Sequence, residues 1–360
     1  MSCIKYTAAG SLAVLAGVVQ VAAQDTSPLY QIGGVDIRPR ATYSLVYDDN
    51  IFLEHKDKAA NQKGNAGRDH DWINTIKPGL RLNAGDVAAR EAFYFDANYD
   101  AAIARFSNYS GSDSVDHTGS VEVGTKLGNL GLKLNQSLAS FSDASQETLA
   151  ANGRVKRKLW DTKAGAEYTV SEKTSASLDF AQTINDYPAA NFVDSVDRSG
   201  AVWLDYRLTP KLRLGVGGGG GYLQVDNNAT AVNPNTLYYN GKLRVDWQAT
   251  EKLGFRANGG LEERHYQGVN LDRLGFVFGL AADWKAGEKT TVGLSAQRGQ
   301  KPSNSNGNTI NEETSVNLTV RHRLVDQWSL SFDSGYSFAH YTATQVGPVA
   351  TGAIRNDEYY

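Results

Sequence analysis

The sequence contains one cysteine, Cys3, and it lies at the extreme N-terminus. The rest of the chain therefore has no disulfide framework, no thiolate metal site and no cysteine nucleophile. After the first residues, no stretch approaches the roughly 20 apolar residues of a membrane-spanning helix. Lysine and arginine (36) do not outnumber aspartate and glutamate (39), so no basic excess points to nucleic acid.

The one continuous apolar run has the features of an export signal. Lys5 precedes an apolar stretch over residues 8–19, and Val21, Ala22 and Ala23 then supply small side chains suited to signal-peptidase cleavage before Gln24. The run is too short to span a membrane as a helix. We therefore expect residues 1–23 to be a signal peptide that is removed on export.

Beyond this leader, apolar and polar residues alternate over ten or more positions in segment after segment. Leu243, Val245 and Trp247, for example, occupy every second position of one segment, and charged residues lie between them. A period of two over this length predicts strands about twice as long as those of most soluble sheets. Similar units recur roughly every 40 residues, a spacing shared by propeller blades, solenoids and pairs of hairpin-linked strands.

The connections between these segments alternate between short turns and long polar loops, as in transmembrane barrels of the outer-membrane type. We count about fifteen strands, whereas single-chain bacterial barrels have even numbers, so either the terminal strand is missing or the count is off by one. The sequence thus predicts an all-β fold, an antiparallel up-and-down transmembrane barrel of about sixteen strands with its terminal strand missing. Residues 24–34 are expected to be a periplasmic segment and residues 35–360 the barrel.

Aromatic residues are expected to mark the membrane interface beside the short turns. This girdle comprises Tyr168, Tyr206, Trp247, Trp284 and Trp328. Amphipathic rings prefer the headgroup level. The alternative is that they are core aromatics of a soluble sandwich.

One segment, RLGVGGGGGY, contains the spacing G-x-G-x-x-G of dinucleotide-binding loops at Gly215, Gly217 and Gly220. That motif requires a strand before it and a helix after it, and here a polar loop follows. We interpret the segment as a strand whose interior positions are Gly215, Gly217, Gly219 and Gly221. The glycines either permit curvature or form a smooth lumen wall that leaves room for a solute, polymer or folded loop.

The remaining interior positions are rich in charge. The candidate solute-contacting residues are Arg38, Arg40, Lys77, Arg81, Asp96, Asp100, Arg213, Lys242, Arg244 and Arg256. Interior side chains tune the selectivity of barrels, and rings of arginine and lysine favour anions. The alternative is that opposite charges on neighbouring strands pair with one another and simply fill the lumen.

Enzyme chemistry and metal binding are not expected. The six histidines are scattered singly, and no H-E-x-x-H or equivalent spacing occurs. His70, between Asp69 and Asp71, is the nearest approach to an acid–base or metal cluster, and a solvated loop accounts for it. We predict no catalytic residue, no metal site and no cofactor.

The segment IRPRATYSLVYDDNIFLE, residues 37–54, resembles the opening strand of the β-barrel porin 2 family, and INTIKPGLRLNAG, residues 73–85, is similar to its second strand. The resemblance extends in pattern over nearly the whole chain after the leader. It implies an outer-membrane barrel, since members of that family are such barrels and several are encoded in exopolysaccharide biosynthesis and export loci. It supplies no catalytic residues.

These features predict a bacterial outer-membrane porin or conduit for hydrophilic solutes, with an accessory role in exopolysaccharide export as one version. The expected partners are outer-membrane lipid, lipopolysaccharide, the barrel-assembly machinery and a polysaccharide or other hydrophilic solute. One alternative is a non-conducting structural or adhesive barrel that acts through its long extracellular loops. Another is a soluble secreted β-protein.

Overall fold

The computed structural model describes residues 21–22, 30–49, 51–52, 70–85, 92–143, 154–189, 192–226, 235–267, 271–302, 310–325, 328–342 and 355–359. Three short strands, β1 (Val21–Ala22), β2 (Tyr30–Ile32) and β18 (Arg355–Tyr359), accompany fifteen long ones. The long strands are β3 (Val35–Asp48), β4 (Asp71–Ala84), β5 (Phe93–Phe106), β6 (Ser114–Leu127), β7 (Leu130–Asp143), β8 (Val155–Thr169), β9 (Thr174–Asp186), β10 (Asp194–Thr209), β11 (Leu212–Asp226), β12 (Thr236–Gln248), β13 (Leu253–Tyr266), β14 (Leu271–Lys285), β15 (Thr290–Pro302), β16 (Ile310–Val325) and β17 (Trp328–Thr342).

The chain is an antiparallel up-and-down β-barrel of the outer-membrane type, as the alternation predicts. From β2 to β17 each strand pairs with the next one along the chain, and β18 adds to β17 as a sixteenth strand alongside the fifteen long ones. The long strands have 13 to 16 residues. At about 3.3 Å per residue and a tilt near 40°, this length exceeds the apolar band of about 25 Å around such barrels.

The two faces of the sheet differ sharply in chemistry. On β10, Val202 and Leu204 are 59% and 53% exposed on the outer face, whereas Asp205 on the inner face is 3% exposed. The same period of two runs through the other long strands, so leucine, valine and aromatic side chains cover the outside. Water would penalise this arrangement, and a hydrocarbon environment would not.

Buried apolar clusters lie at the long-loop end of the barrel rather than at its centre. Val193, Leu223 and Val225 form one, and Val155, Tyr187 and Phe192 form another. Elsewhere, charged and polar side chains line the interior together with a few aromatic rings, among them Trp203 and Tyr238. No helix among the described residues is long and apolar enough to cross a membrane.

The N-terminal segment contacts the edge of β3. β2 forms a tight hairpin with β3 through Gly33 and Gly34, whose φ angles of +58° and +83° favour glycine. β1 pairs with Thr42 and Tyr43 further along the same strand. Because β1 lies inside the segment expected to be cleaved, leader removal would free that edge; the signal peptide and the domain boundaries stay predictions.

Candidate functional site

The candidate site is the interior face of the barrel, and its first sector lies on β3, β4 and β5. Arg40 donates two hydrogen bonds to Asp100, from Nε at 3.0 Å and from Nη2 at 2.6 Å. Lys77 lies 3.9 Å from the same carboxylate. The strand between Arg40 and Asp100 contributes Gly79, and a Cβ there would collide with the Asp100 carboxylate. A glycine on the middle strand therefore lets charges on the two flanking strands meet.

The same sector has a second ion pair nearer to the turn between β4 and β5. Arg81 contacts Asp96 at 2.7 Å, and Asn83 and Asn98 also donate to that carboxylate. Arg38 reaches Asp36 on its own strand at 3.0 Å. Each of the six interior charges predicted on these strands thus has a partner of opposite charge: Arg40 and Lys77 share Asp100, Arg81 contacts Asp96, and Arg38 contacts Asp36, which is not one of the six. This is the charge-pairing alternative rather than an uncompensated basic ring.

The second sector repeats this geometry on β10, β11 and β12. Arg244 donates to Asp205 across Gly215, from Nε at 2.7 Å and from Nη2 to the other carboxylate oxygen. Its guanidinium also lies 4.4 Å from the centroid of the Trp203 ring, within reach of a cation–π interaction. A Cβ on Gly215 would collide with Asp205 and would lie 2.7 Å from Cγ of Arg244.

The interior glycines of β11 do not form a smooth, empty wall. The Trp203 ring lies over Gly217 and the Tyr238 ring over Gly221, while Gly219 faces Ala201 and the carbonyl of Gly200. Glycine is required at these positions because large side chains from β10 and β12 lie across β11, where a Cβ would collide with them. The expectation of a bare wall at Gly215, Gly217, Gly219 and Gly221 is therefore replaced by a packed one.

Of the other predicted interior cations, Arg213 and Arg256 lie towards the short-turn end, and Lys242 lies at the middle of β12. Arg213 is the register partner of Asp246, Lys242 lies opposite Gly217, and Arg256 contacts Asp283 at 2.7 Å. Both partners of that last pair are about two-thirds exposed. Among the described side chains, Arg213 and Lys242 have no carboxylate within 4.0 Å.

A cavity of about 1090 Å³ opens at this end, between β10 and β16. We call it the short-turn vestibule. Its lining includes seven basic residues, Arg207, Lys211, Arg213, Lys252, Arg256, Lys285 and Arg321, and three acidic ones, Asp246, Glu251 and Asp283. Thr291, Ser295, Asn317 and Thr319 supply hydroxyl and amide groups between them.

A polar network at the long-loop end was not anticipated from the sequence. The Tyr238 hydroxyl donates to Asp197 at 2.8 Å, and the Arg264 guanidinium lies 4.7 Å from the centroid of the Tyr238 ring. Arg264 also donates to Glu262 at 2.8 Å, and both side chains are at most 10% exposed. The alternation of side chains on β10, β12 and β13 assigns these residues to the inner face, but it does not show which of them contact one another.

Four of the five aromatic residues predicted for the girdle have described side chains. Tyr168, Tyr206, Trp247 and Trp284 project from the outer face near the short turns, each about half exposed. Trp247 stacks on Phe255 of the next strand, with ring centroids 5.5 Å apart. The side chain of Trp328 lies outside the described residues. Among those residues, no group of three or more histidine, cysteine, aspartate or glutamate side chains could hold a metal ion.

Asp71 fixes the loop between β5 and β6 by accepting hydrogen bonds from its backbone, outside the membrane-spanning part of the barrel. It lies on the loop side of Trp72, is fully buried, and accepts backbone N–H groups of Asn108 and Tyr109 at 3.0 Å and of Trp72 at 2.7 Å. Burial by itself would raise the pKa of this carboxyl, but these hydrogen bonds, with one from Ser107, hold the pKa below its ordinary value. The charged form is therefore the one that the fold stabilises.

We expect the Asp71→Asn variant to lose about 1–2 kcal/mol of loop stability, because an amide cannot accept all of these donors. Faster hydrogen exchange at Asn108 and Tyr109 measures the loss. In the unmodified protein the contribution is complete above about pH 4 and disappears as the pH falls through the lowered pKa. Asp272→Asn, at a carboxyl that is 67% exposed, is the control; equal exchange in both variants would contradict this role of Asp71.

Comparison with known proteins gives likeness of shape only. No family model and no curated protein matches the sequence. Similar solved structures include the siderophore receptor PirA from Pseudomonas aeruginosa (13% identity, 84% of this chain, 56% of that one, TM-score 0.41). Others are a bacterial polysaccharide outer membrane secretin (10%, 82% and 90%, 0.44) and the copper transporter OprC (16%, 90% and 60%, 0.39). The chain spans less than two-thirds of the receptor and of the copper transporter.

Proposed function

We propose that this protein is an outer-membrane conduit for hydrophilic solutes. The observation that carries the proposal is the contrast between the two faces of the sheet, apolar outside and charged or polar inside. A polar lumen lowers the cost of moving a hydrated solute past hydrocarbon, and transport through it is passive. Sixteen strands can enclose an aqueous channel.

The resemblance of residues 37–54 and 73–85 to the β-barrel porin 2 family supports the same proposal. It extends the proposal to an accessory role in exopolysaccharide export, with export of the chain itself directed by residues 1–23. Lipopolysaccharide and the barrel-assembly machinery are the partners that such a barrel requires. The proposal includes no enzymatic activity.

Planar-bilayer conductance of the full-length, detergent-refolded barrel tests the proposal. We expect stable unitary steps in the conductance. If a barrel whose folding is verified by heat modifiability shows no conductance, the proposal is overturned in favour of a non-conducting barrel that acts through its loops. Trp203→Ala removes a ring from the interior and should raise the unitary conductance. Trp160→Ala removes a ring from the outer face of β8, where it is 42% exposed, and should leave the conductance unchanged.

A further inference from the structure

We infer that the short-turn vestibule is an anion-binding entrance, so that the solute of this conduit is anionic and rich in hydroxyl groups. The inference rests on the proposed function and specifies its solute class. Seven basic residues face three acidic ones around this cavity. The whole chain, in contrast, has a net charge of −3. The lining of this mouth therefore has a positive net charge, although the chain as a whole does not.

Most of this positive charge is available to a ligand. Among the described side chains, Arg256 alone of the seven has a carboxylate within 4.0 Å, that of Asp283. Arg207 donates to a backbone carbonyl, that of Glu172, which does not neutralise its charge. This differs from the sector of β3 to β5, where Asp100 and Asp96 compensate the arginines.

The positions of the cations suit a passing anion. Arg213 on β11 and Arg321 on β16 occupy positions that face the interior, and their strands lie on opposite sides of the cavity. Residues of β12 to β15 line the cavity between them. Low-dielectric walls lined by one sign of charge focus the field and raise the local concentration of counter-ions. Guanidinium groups also offer forked donors that match carboxylates.

The neutral lining indicates what else the solute carries. Gln248, Thr291, Ser295, Asn317 and Thr319 offer donors and acceptors between the charged residues, and apolar residues of the same strands complete the lining. Such groups exchange hydrogen bonds with hydroxyls as readily as with water. A cavity of about 1090 Å³ is at the upper end of the volumes that hold whole small ligands. A short, acidic, polyhydroxylated chain fits this combination.

Reversal potentials in a potassium chloride gradient test the inference. We expect the unmodified barrel to be anion-selective and the double variant Arg213→Glu, Arg321→Glu to invert the sign of the reversal potential. The control is Lys156→Glu, Lys158→Glu, an equal charge change on the outer face of β8 beside Trp160. It breaks the exposed ion pair of Lys158 with Asp186, at 3.3 Å, but should leave the sign of the reversal potential unchanged. Asp283→Asn should shift selectivity further towards anions.

Block by trigalacturonate and by maltotriose, probes of equal length and different charge, then compares solutes. Stronger block by trigalacturonate, lost in the double variant, is the expected result. A conducting barrel that prefers cations, or that keeps its selectivity in the double variant, would overturn the inference and leave the proposed conduit intact. If the barrel shows no conductance, calorimetry with trigalacturonate on the folded protein decides. Binding that the double variant abolishes would support the anion-binding vestibule but not the conduit, and absence of binding would refute both.

Discussion

Arg244→Gln is expected to lower the free energy of unfolding of the barrel by about 2–4 kcal/mol, because it leaves the Asp205 carboxylate buried without its cation. Asp205 is 3% exposed, while the side chain of Arg244 is 27% exposed, and this partial exposure places the loss slightly below that of a fully buried pair. The variant also removes the guanidinium that lies over Trp203. Urea unfolding of the lipid-refolded barrel, followed by tryptophan fluorescence, measures the change.

Arg256→Gln is the control, since Arg256 also pairs with an interior aspartate, here on the adjacent strand rather than two strands away. The Arg256–Asp283 pair has a separation of 2.7 Å, but its side chains are 67% and 66% exposed. Exposed pairs contribute about 0–1 kcal/mol, so this variant should unfold almost as the unmodified protein does. Equal losses in the two variants would show that burial of the Asp205 carboxylate does not decide the cost.

The fold could be predicted from the sequence because the alternation of side chains determines it directly. A period of two assigns each residue of a long strand to one face, and a shift of one residue would turn Leu204 inward and Asp205 outward. The burial of Asp205 and the exposure of Leu204 follow from this rule. Short turns and long loops then give the up-and-down order, since antiparallel neighbours need only a hairpin.

The pairing of the interior residues could not be predicted in the same way. Parity shows that Arg40 and Asp100 point inward, but these residues lie on strands separated by a third, and their contact requires Gly79 between them. The same holds for Arg244, Gly215 and Asp205. A strand register and the size of the residue on the middle strand must both be known before such a contact can be inferred.

The contacts at the loop ends are hidden for a related reason. Asp71 and Asn108 are 37 residues apart and meet only because β4 and β5 are paired in a particular register. Nothing in the local sequence around Asp71 distinguishes it from the acidic residues of a solvated loop. Tyr238 likewise reads as an interior aromatic, and its bond to Asp197 depends on Gly221 between the two strands.

Gly260→Ala is expected to destabilise the barrel by about 3 kcal/mol, towards the upper end of the cost of overpacking. A Cβ at this position would collide with the carbonyl oxygen of Gly241 and would lie 2.7 Å from Cα of Lys242. Both atoms belong to the backbone of β12, which pairs with β13 at this point. A side chain could rotate away, whereas this backbone can move only by disrupting the ladder between the two strands.

Gly241→Ala, on the paired strand, is the control for Gly260→Ala. A Cβ on Gly241 would meet no atom within 4 Å, and alanine is less flexible than glycine in the unfolded chain. This variant should therefore be neutral or more stable by about 0.5–1 kcal/mol. Unfolding of both variants under one set of conditions separates the general effect of replacing a strand glycine from the local collision. If the two variants shift stability by the same amount, the close approach of β12 to Gly260 does not explain why glycine occupies that position.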